Sequence, residues 1–262
     1  MHGDGRQLCS AIIEKMKPIS LFVTGTDTGV GKTLVTALLV LHLRARGIDA
    51  GVMKPIASGC RLENGELKSD DALFLRLATG VEDDLALLNP VRYEEPLAPL
   101  VAARRQAKLG AGALGAGAFR DDFRTCLVAY EELRRRHECV VVEGVGGLMA
   151  PLQQRSESAP IQNGVDLINA WGLPIVCVAR RTLGTINHTL LTCSARLRAP
   201  ARFAAFVFCD SVAVEPDDIA AQTNPDLLRE ITGLPVWGQI PFLHDMAPSN
   251  LREIAARSIH TD

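Results

Sequence analysis

The sequence predicts an α/β fold: a single domain built on a mostly parallel central sheet of about seven strands, flanked by helices. Three observations carry that expectation. Short apolar runs suited to strands buried on both faces recur along the chain, Cys139-Val-Val-Val142 and Pro174–Ala179 among them, with stretches of helical period between them. The run Ile19–Val23 leads through Gly25, Gly29 and Gly31 into apolar spacing at Leu34, Val35, Leu38, Leu39 and Leu41, so a strand, a tight turn and a helix follow without a break. Finally, 262 residues at 47% hydrophobic content suffice to bury one large core.

Composition narrows the partners. The formal charge is -2 and the basic residues are dispersed, which argues against a nucleic-acid or membrane surface and for small-molecule substrates. Cys9, Cys60, Cys126, Cys139, Cys177, Cys193 and Cys209 are odd in number, form no C-x-x-C pair and mostly sit in apolar stretches, as reduced core thiols of a cytoplasmic protein do. No apolar run reaches the ~18 residues that a bilayer span needs. Asp4 and Glu14 stand where a signal peptide would be apolar.

In chain order, Met1–Lys17 reads as an extension with a short helical pattern at Leu8, Ile12, Ile13 and Met16, ahead of a domain over residues 18–262. The glycines at 25, 29 and 31 then let the backbone turn and bring consecutive N–H groups toward one point at a helix start, where the dipole favours an anion. Lys32 would reach the β- and γ-phosphates of a nucleotide there, and the Thr33 hydroxyl would complete a Mg²⁺ shell that keeps several waters. The strict G-x-x-x-x-G-K-[ST] pattern is missed, because Thr26 stands six before Lys32 and the glycine is one place earlier. A purely structural turn is the alternative; the flanking strand and amphipathic helix favour the phosphate site.

That helix runs to Arg46 with Gly47 beyond it, and Ala50–Met53 forms the next strand. Parallel strands joined by a helix leave their carboxyl ends lining the site, so Lys54 and Ser58 of Lys54-Pro-Ile-Ala-Ser-Gly59 are expected to face the phosphates, against the plainer reading of a surface lysine before a turn. Asp70 and Asp71 open a helix that stops at Gly80, and read as caps unless other features support a metal role.

Beyond Asn89-Pro90 the chain turns irregular, and Gly110, Gly112, Gly115 and Gly117 mark a mobile insertion too glycine-rich for a rigid helix, before a helix over Phe119–His137. Cys139–Val142 then delivers Glu143, followed by Gly144, Gly146 and Gly147. A carboxylate at the end of a central strand beside the glycine turn is the usual second half of a Mg·nucleotide site, the alternative being a local pair. Gln153–Asn163 reads as polar loop. Strands at Pro174–Ala179 and Phe203–Cys209 enclose Leu183-Gly-Thr-Ile-Asn-His188, a helix start suited to a carboxylate or to an ordinary solvated cap; His188 fits a cap or the core. A helix near Pro225–Ile231, a strand near Pro235–Ile240 and a helix over Asn250–Ser258 follow.

Taken together, Gly25-Thr-Asp-Thr-Gly-Val-Gly-Lys-Thr33, Lys54-Pro-Ile-Ala-Ser-Gly59, Ser69-Asp-Asp-Ala-Leu73, Val142-Glu-Gly-Val-Gly-Gly147 and Leu183–His188 resemble the dethiobiotin synthetase family in order and spacing, from about Ile19 to Leu243. The resemblance implies a fold of the P-loop NTPase type, ATP as co-substrate with Mg²⁺, and formation of the ureido ring of dethiobiotin from 7,8-diaminononanoate and CO₂ in biotin synthesis. It implies Lys32, Lys54 and Thr28 as catalytic residues. Around the nucleotide it implies Gly29, Val30, Gly31, Lys32, Thr33, Leu34, Asp71, Glu143, Gly144, Val145, Gly146, Cys209, Asp210, Pro241, Phe242 and Leu243. The metal falls to Thr33, Glu143 and Asp71 or Asp70. Thr28, Lys54, Ser58 and Gly147 would place the diamine, and Leu183, Gly184, Thr185, Ile186 and Asn187 of a second subunit its carboxylate, hence a homodimer with shared sites.

Two departures stand out. Cys209 occupies the place of the family's adenine-reading Asn, and Ala98-Pro-Leu100 that of its Ser/Ala-Pro-His. Two other activities share parts of the pattern. A deviant P-loop ATPase switch would carry a signature lysine where Asp27 and Thr28 stand, and a cobyrinate-type amidoligase needs a glutaminase domain for which no length remains. Lys32 and Lys54 are both expected to face water or phosphate and to supply no core packing.

Overall fold

In the computed structural model, which describes residues 19–108 and 121–261, six parallel strands make the central sheet: β1 (Leu21–Gly25), β2 (Ala50–Met53), β3 (Cys139–Glu143), β4 (Pro174–Ala179), β5 (Arg202–Cys209) and β6 (Val236–Ile240). Their spatial order is β6-β5-β4-β1-β3-β2. The strands are apolar on both faces because both are covered. Val23, Val52, Val141, Val176 and Val207 enter one core, and Phe22, Met53, Val140, Val142 and Ile175 enter the other. That division follows the two-residue alternation of side chains along a strand.

Nine helices stand among the described residues: α1 (Lys32–Ala45), α2 (Asp70–Thr79), α3 (Leu85–Leu88), α4 (Pro99–Lys108), α5 (Asp122–Arg136), α6 (Gly164–Trp171), α7 (Thr185–Cys193), α8 (Ile219–Thr232) and α9 (Pro248–Ser258). α1 packs with α2 and α9, while α5 packs on β2 and β3. β1 and β2 are consecutive strands but not neighbours. β3 lies between them, with Val141 opposite both Leu21 and Val52. This puts Glu143 beside the end of β1 and close to the residue that follows β2.

Several local features differ from the sequence expectation. Among the described residues the central sheet has six strands, against an expectation of about seven. Residues 151–163 are not plain loop: Pro151–Gln153 pairs antiparallel with Gln162–Asn163, and Gln153 Nε2 donates to Gln162 Oε1 at 2.8 Å. A hairpin joins Arg61–Glu63 to Glu66–Lys68 through Asn64 (φ 52°) and Gly65 (φ 80°), a two-residue Asn-Gly turn whose signal was present in the sequence. α8 begins well before Pro225, because Asp218 accepts from Ala221 N at 2.9 Å and caps it there. Asp121 caps α5 in the same way, at Arg124 N. The extension over residues 1–17, Cys9, the glycines between 110 and 117, and Phe119 lie outside the described residues. Cys60, Cys126, Cys139, Cys177 and Cys209 are buried thiols and Cys193 is half-buried. No described helix is long and apolar enough to cross a membrane.

Candidate active site

β1 ends at Gly25 and α1 begins at Lys32, so the turn between them is closed within six residues. Gly29 (φ 70°) and Gly31 (φ 90°) take left-handed backbone, which glycine adopts without penalty. Gly31 is the N-cap of α1 and no side chain bonds to the helix start, leaving the first N–H groups of α1 free for an anion. A Cβ on Gly31 would overlap the Cys209 sulfur, which lies under the turn. Lys32 folds back over it, its ammonium donating to Asp27 O at 2.7 Å. Burial, and then the charge of Lys54, lower its pKa to about 8.

Four chain segments meet at one cluster. Lys54 Nζ lies 2.6 Å from Glu143 Oε1 and 2.7 Å from Asp71 Oδ2. The Thr33 hydroxyl lies 2.8 Å from the same Glu143 oxygen and 3.2 Å from Asp71 Oδ1. The expectation that Lys54 supplies no interior contact does not hold. Its side chain is 4% exposed and that of Glu143 1%, so the two form a buried ion pair. Burial alone would lower the Lys54 pKa, but the Glu143 and Asp71 charges outweigh it and hold the ammonium above its usual value. Burial pushes the Glu143 carboxyl up, and Lys54 opposes it only in part. For Asp71 burial also acts upward, yet Lys54 overrides it and holds the carboxyl low.

Asp70, next in the chain, is not brought to this cluster; it turns outward to Arg61, with contacts of 2.7 and 3.0 Å. Beyond Glu143, Gly144 N donates to Val23 O at 2.9 Å, and a Cβ on Gly147 would stand 3.6 Å from Gly25 O, so this loop runs against the turn. A cleft of ≈ 1660 Å³ is lined by these parts together with Thr28, Ser58, Cys209, Asp210, Phe242 and Leu243. Pro241 is exposed. Leu100, at the family's histidine position, is buried in α4.

The Leu183–Asn187 segment is placed differently. Leu183 is 91% exposed, Gly184 and Asn187 are exposed, Ile186 is half-buried and Thr185 is buried. Gly184 caps α7 with φ 91° and no side-chain bond. Arg181 just before it had no mark in the sequence, yet its guanidinium grips the Asp210 carboxylate with two bonds, Nε at 3.1 Å. Asn224 Nδ2 in turn donates to Arg181 O at 2.8 Å. A lone arginine after a strand carries no periodic signal.

A family model described as an AAA domain matches residues 20–250. Among curated relatives, the ATP-dependent dethiobiotin synthetase BioD of Thermodesulfovibrio yellowstonii is 37% identical over 238 residues, 90% of this chain and 94% of that one. The protein of the same name from Anaeromyxobacter sp. is 40% identical over 227 residues, 87% and 92% of the two chains. That from Nitrosopumilus maritimus is 33% identical over 240 residues, 92% and 96%.

Proposed function

The chain belongs to the ATP-dependent dethiobiotin synthetase family, and on that premise we propose that it closes the ureido ring of dethiobiotin from 7,8-diaminononanoate and CO₂, with ATP hydrolysed to ADP and phosphate. The observation that carries the reading is the buried Lys54–Glu143 pair beside the uncapped start of α1. One substrate amine takes up CO₂ as a carbamate. A carbamate oxygen attacks the γ-phosphate, and the second amine closes on the mixed anhydride as phosphate leaves. The N–H groups of Gly29–Leu34 would hold the phosphates. Lys32 and Lys54 would stabilise the negative charge that builds on the transferring group, where fixed charges act most strongly.

The donor set also fits Mg²⁺. Thr33, Asp71 and Glu143 present hard oxygens to one another, and Glu143 Oε2 is buried with no hydrogen-bond partner among the described residues. When bound there, the ion would offset part of the negative charge of the phosphates. Asp71 rather than Asp70 is the carboxylate to hold it, since Asp70 is engaged by Arg61. Phosphate release from ATP should require both the diamine and bicarbonate, whereas a partner-regulated ATPase would turn over without them.

The same assay addresses the base. An Asn amide can both accept from and donate to adenine, while a thiol is weak in either role, and the Cys209 sulfur is turned toward Gly31. One lost hydrogen bond costs about 0.5–1.5 kcal/mol, so CTP, GTP or UTP should support turnover within roughly tenfold of ATP. A preference for ATP above about a hundredfold, near 2.7 kcal/mol, would show that the base is read elsewhere, at Pro241–Leu243 for instance.

Exposed Leu183 before the uncapped start of α7 and exposed Leu191 on the same helix support a homodimer in which that segment serves the second site. Mixing an inactive Lys54→Ala chain with an inactive Asn187 variant should restore part of the activity, because each mixed dimer rebuilds one intact site. A monomer in sedimentation at assay concentration would end the idea.

A further inference from the structure

Asn89 is wholly buried between α3 and the short strand Val91–Arg92. Its Nδ2 donates to Lys54 O at 2.7 Å and to Val91 O at 3.3 Å. Two carbonyls on that side settle the amide orientation, since the side-chain oxygen could not face them. Lys54 N donates to Leu88 O at 2.7 Å, so both backbone polar groups of Lys54 end on the consecutive residues 88 and 89. Pro55 follows, offers no N–H and confines Lys54 to extended backbone. Val91 N then donates to Pro55 O at 3.1 Å, and Ile56 pairs with Val91.

Lys54 is the first residue past the end of β2 and has left the sheet's own ladder. Residues 88–91 replace that ladder. Asn89 Oδ1 is buried without a partner among the described residues, an arrangement that packing alone would disfavour. We propose that Asn89 is a positioning residue of the reaction: its amide fixes the Lys54–Pro55 peptide so that the Lys54 ammonium stands at Asp71 and Glu143, 17 and 89 residues away in sequence. It touches neither the phosphates nor the metal donors and acts only through Lys54.

The inference rests on Lys54 acting in the reaction, which the single Lys54→Met variant tests separately. Turnover with ATP, diamine and bicarbonate is measured for Asn89→Leu, Lys54→Met and the double variant. Asn89→Leu should lower kcat by about tenfold or more, because a small displacement of a catalytic charge is costly, while KM for ATP stays within about threefold. With Met at position 54, the same substitution should change kcat by less than about twofold, since there is no longer a charge to place. Unchanged kcat in Asn89→Leu, or an equal loss in both backgrounds, would overturn the inference and leave Asn89 a packing residue. A Lys54→Met chain with normal turnover would instead remove Lys54 itself from the reaction. Should Asn89→Leu not fold, Asn89→Ser goes through the same cycle and is judged by the same two outcomes.

Discussion

Lys54→Met should lower turnover by about a hundredfold or more, the size expected when one preorganised charge is removed from a phosphoryl-transfer site. Methionine keeps the length and most of the volume of the lysine stem, so the loss can be assigned to the charge. Stability should fall as well, contrary to what position at a strand end suggests. The substitution strands Glu143, whose side chain is 1% exposed, without its cation. Breaking a buried pair from one side typically costs about 3–5 kcal/mol. Here the fall should lie at or below the low end, because burial already pushes Glu143 toward its neutral form and half-exposed Asp71 can be solvated. Asp70→Asn is the control: its pair with Arg61 is exposed on both sides and screened by solvent, so it should contribute little to stability and nothing to turnover. Urea unfolding and phosphate release on the three chains check both parts, and near-normal dethiobiotin formation by Lys54→Met would remove that residue from the chemistry.

Gly31→Ala is the second substitution with a large expected effect. Alanine at φ 90° carries left-handed strain of about 1–2 kcal/mol, and its Cβ would overlap the Cys209 sulfur. The turn must shift, and with it the N–H groups that would hold the phosphates. ATP affinity should drop by about a hundredfold, roughly 2.7 kcal/mol, as measured by calorimetry. Cys209→Gly removes the obstructing atoms, so Gly31→Ala with Cys209→Gly should recover part of the affinity and leave the backbone strain in place. Two effects that simply add in this cycle would show that the sulfur does not support the turn.

Much of this architecture is legible without coordinates. Val140–Val142 and Ile175–Val178 announce strands buried on both faces, and the glycine turn announces its helix. Thr33, Lys54 and Glu143 could each be marked because each sits at a strand end or helix start. What remained hidden has a physical reason. Asp70 and Asp71 are adjacent, and a helix turns by about 100° per residue, so only one can face Lys54; which one depends on how α2 docks. Asn89 and Arg181 are single polar residues outside any period or motif, and only tertiary contacts give them a role. The backbone of Lys54 is tied to residues 88 and 89, a pairing that no local pattern encodes.

The place of β1 in the sheet bears on the order in which the protein can acquire its site during synthesis. β1 is made first among the sheet strands, yet Leu21 lies beside Val141 and Phe22 beside Ile175, more than a hundred residues later in the chain. Loop closure over such distances precedes any gain from the contacts themselves, which makes pairing of this kind slow. A nascent chain that has emerged only as far as α5 therefore has the glycine turn and Lys54 but neither neighbour for β1 nor the Glu143 carboxylate. Nucleotide capture by this site would thus report a nearly finished fold, and ATP would stabilise the completed sheet over its partly assembled precursors.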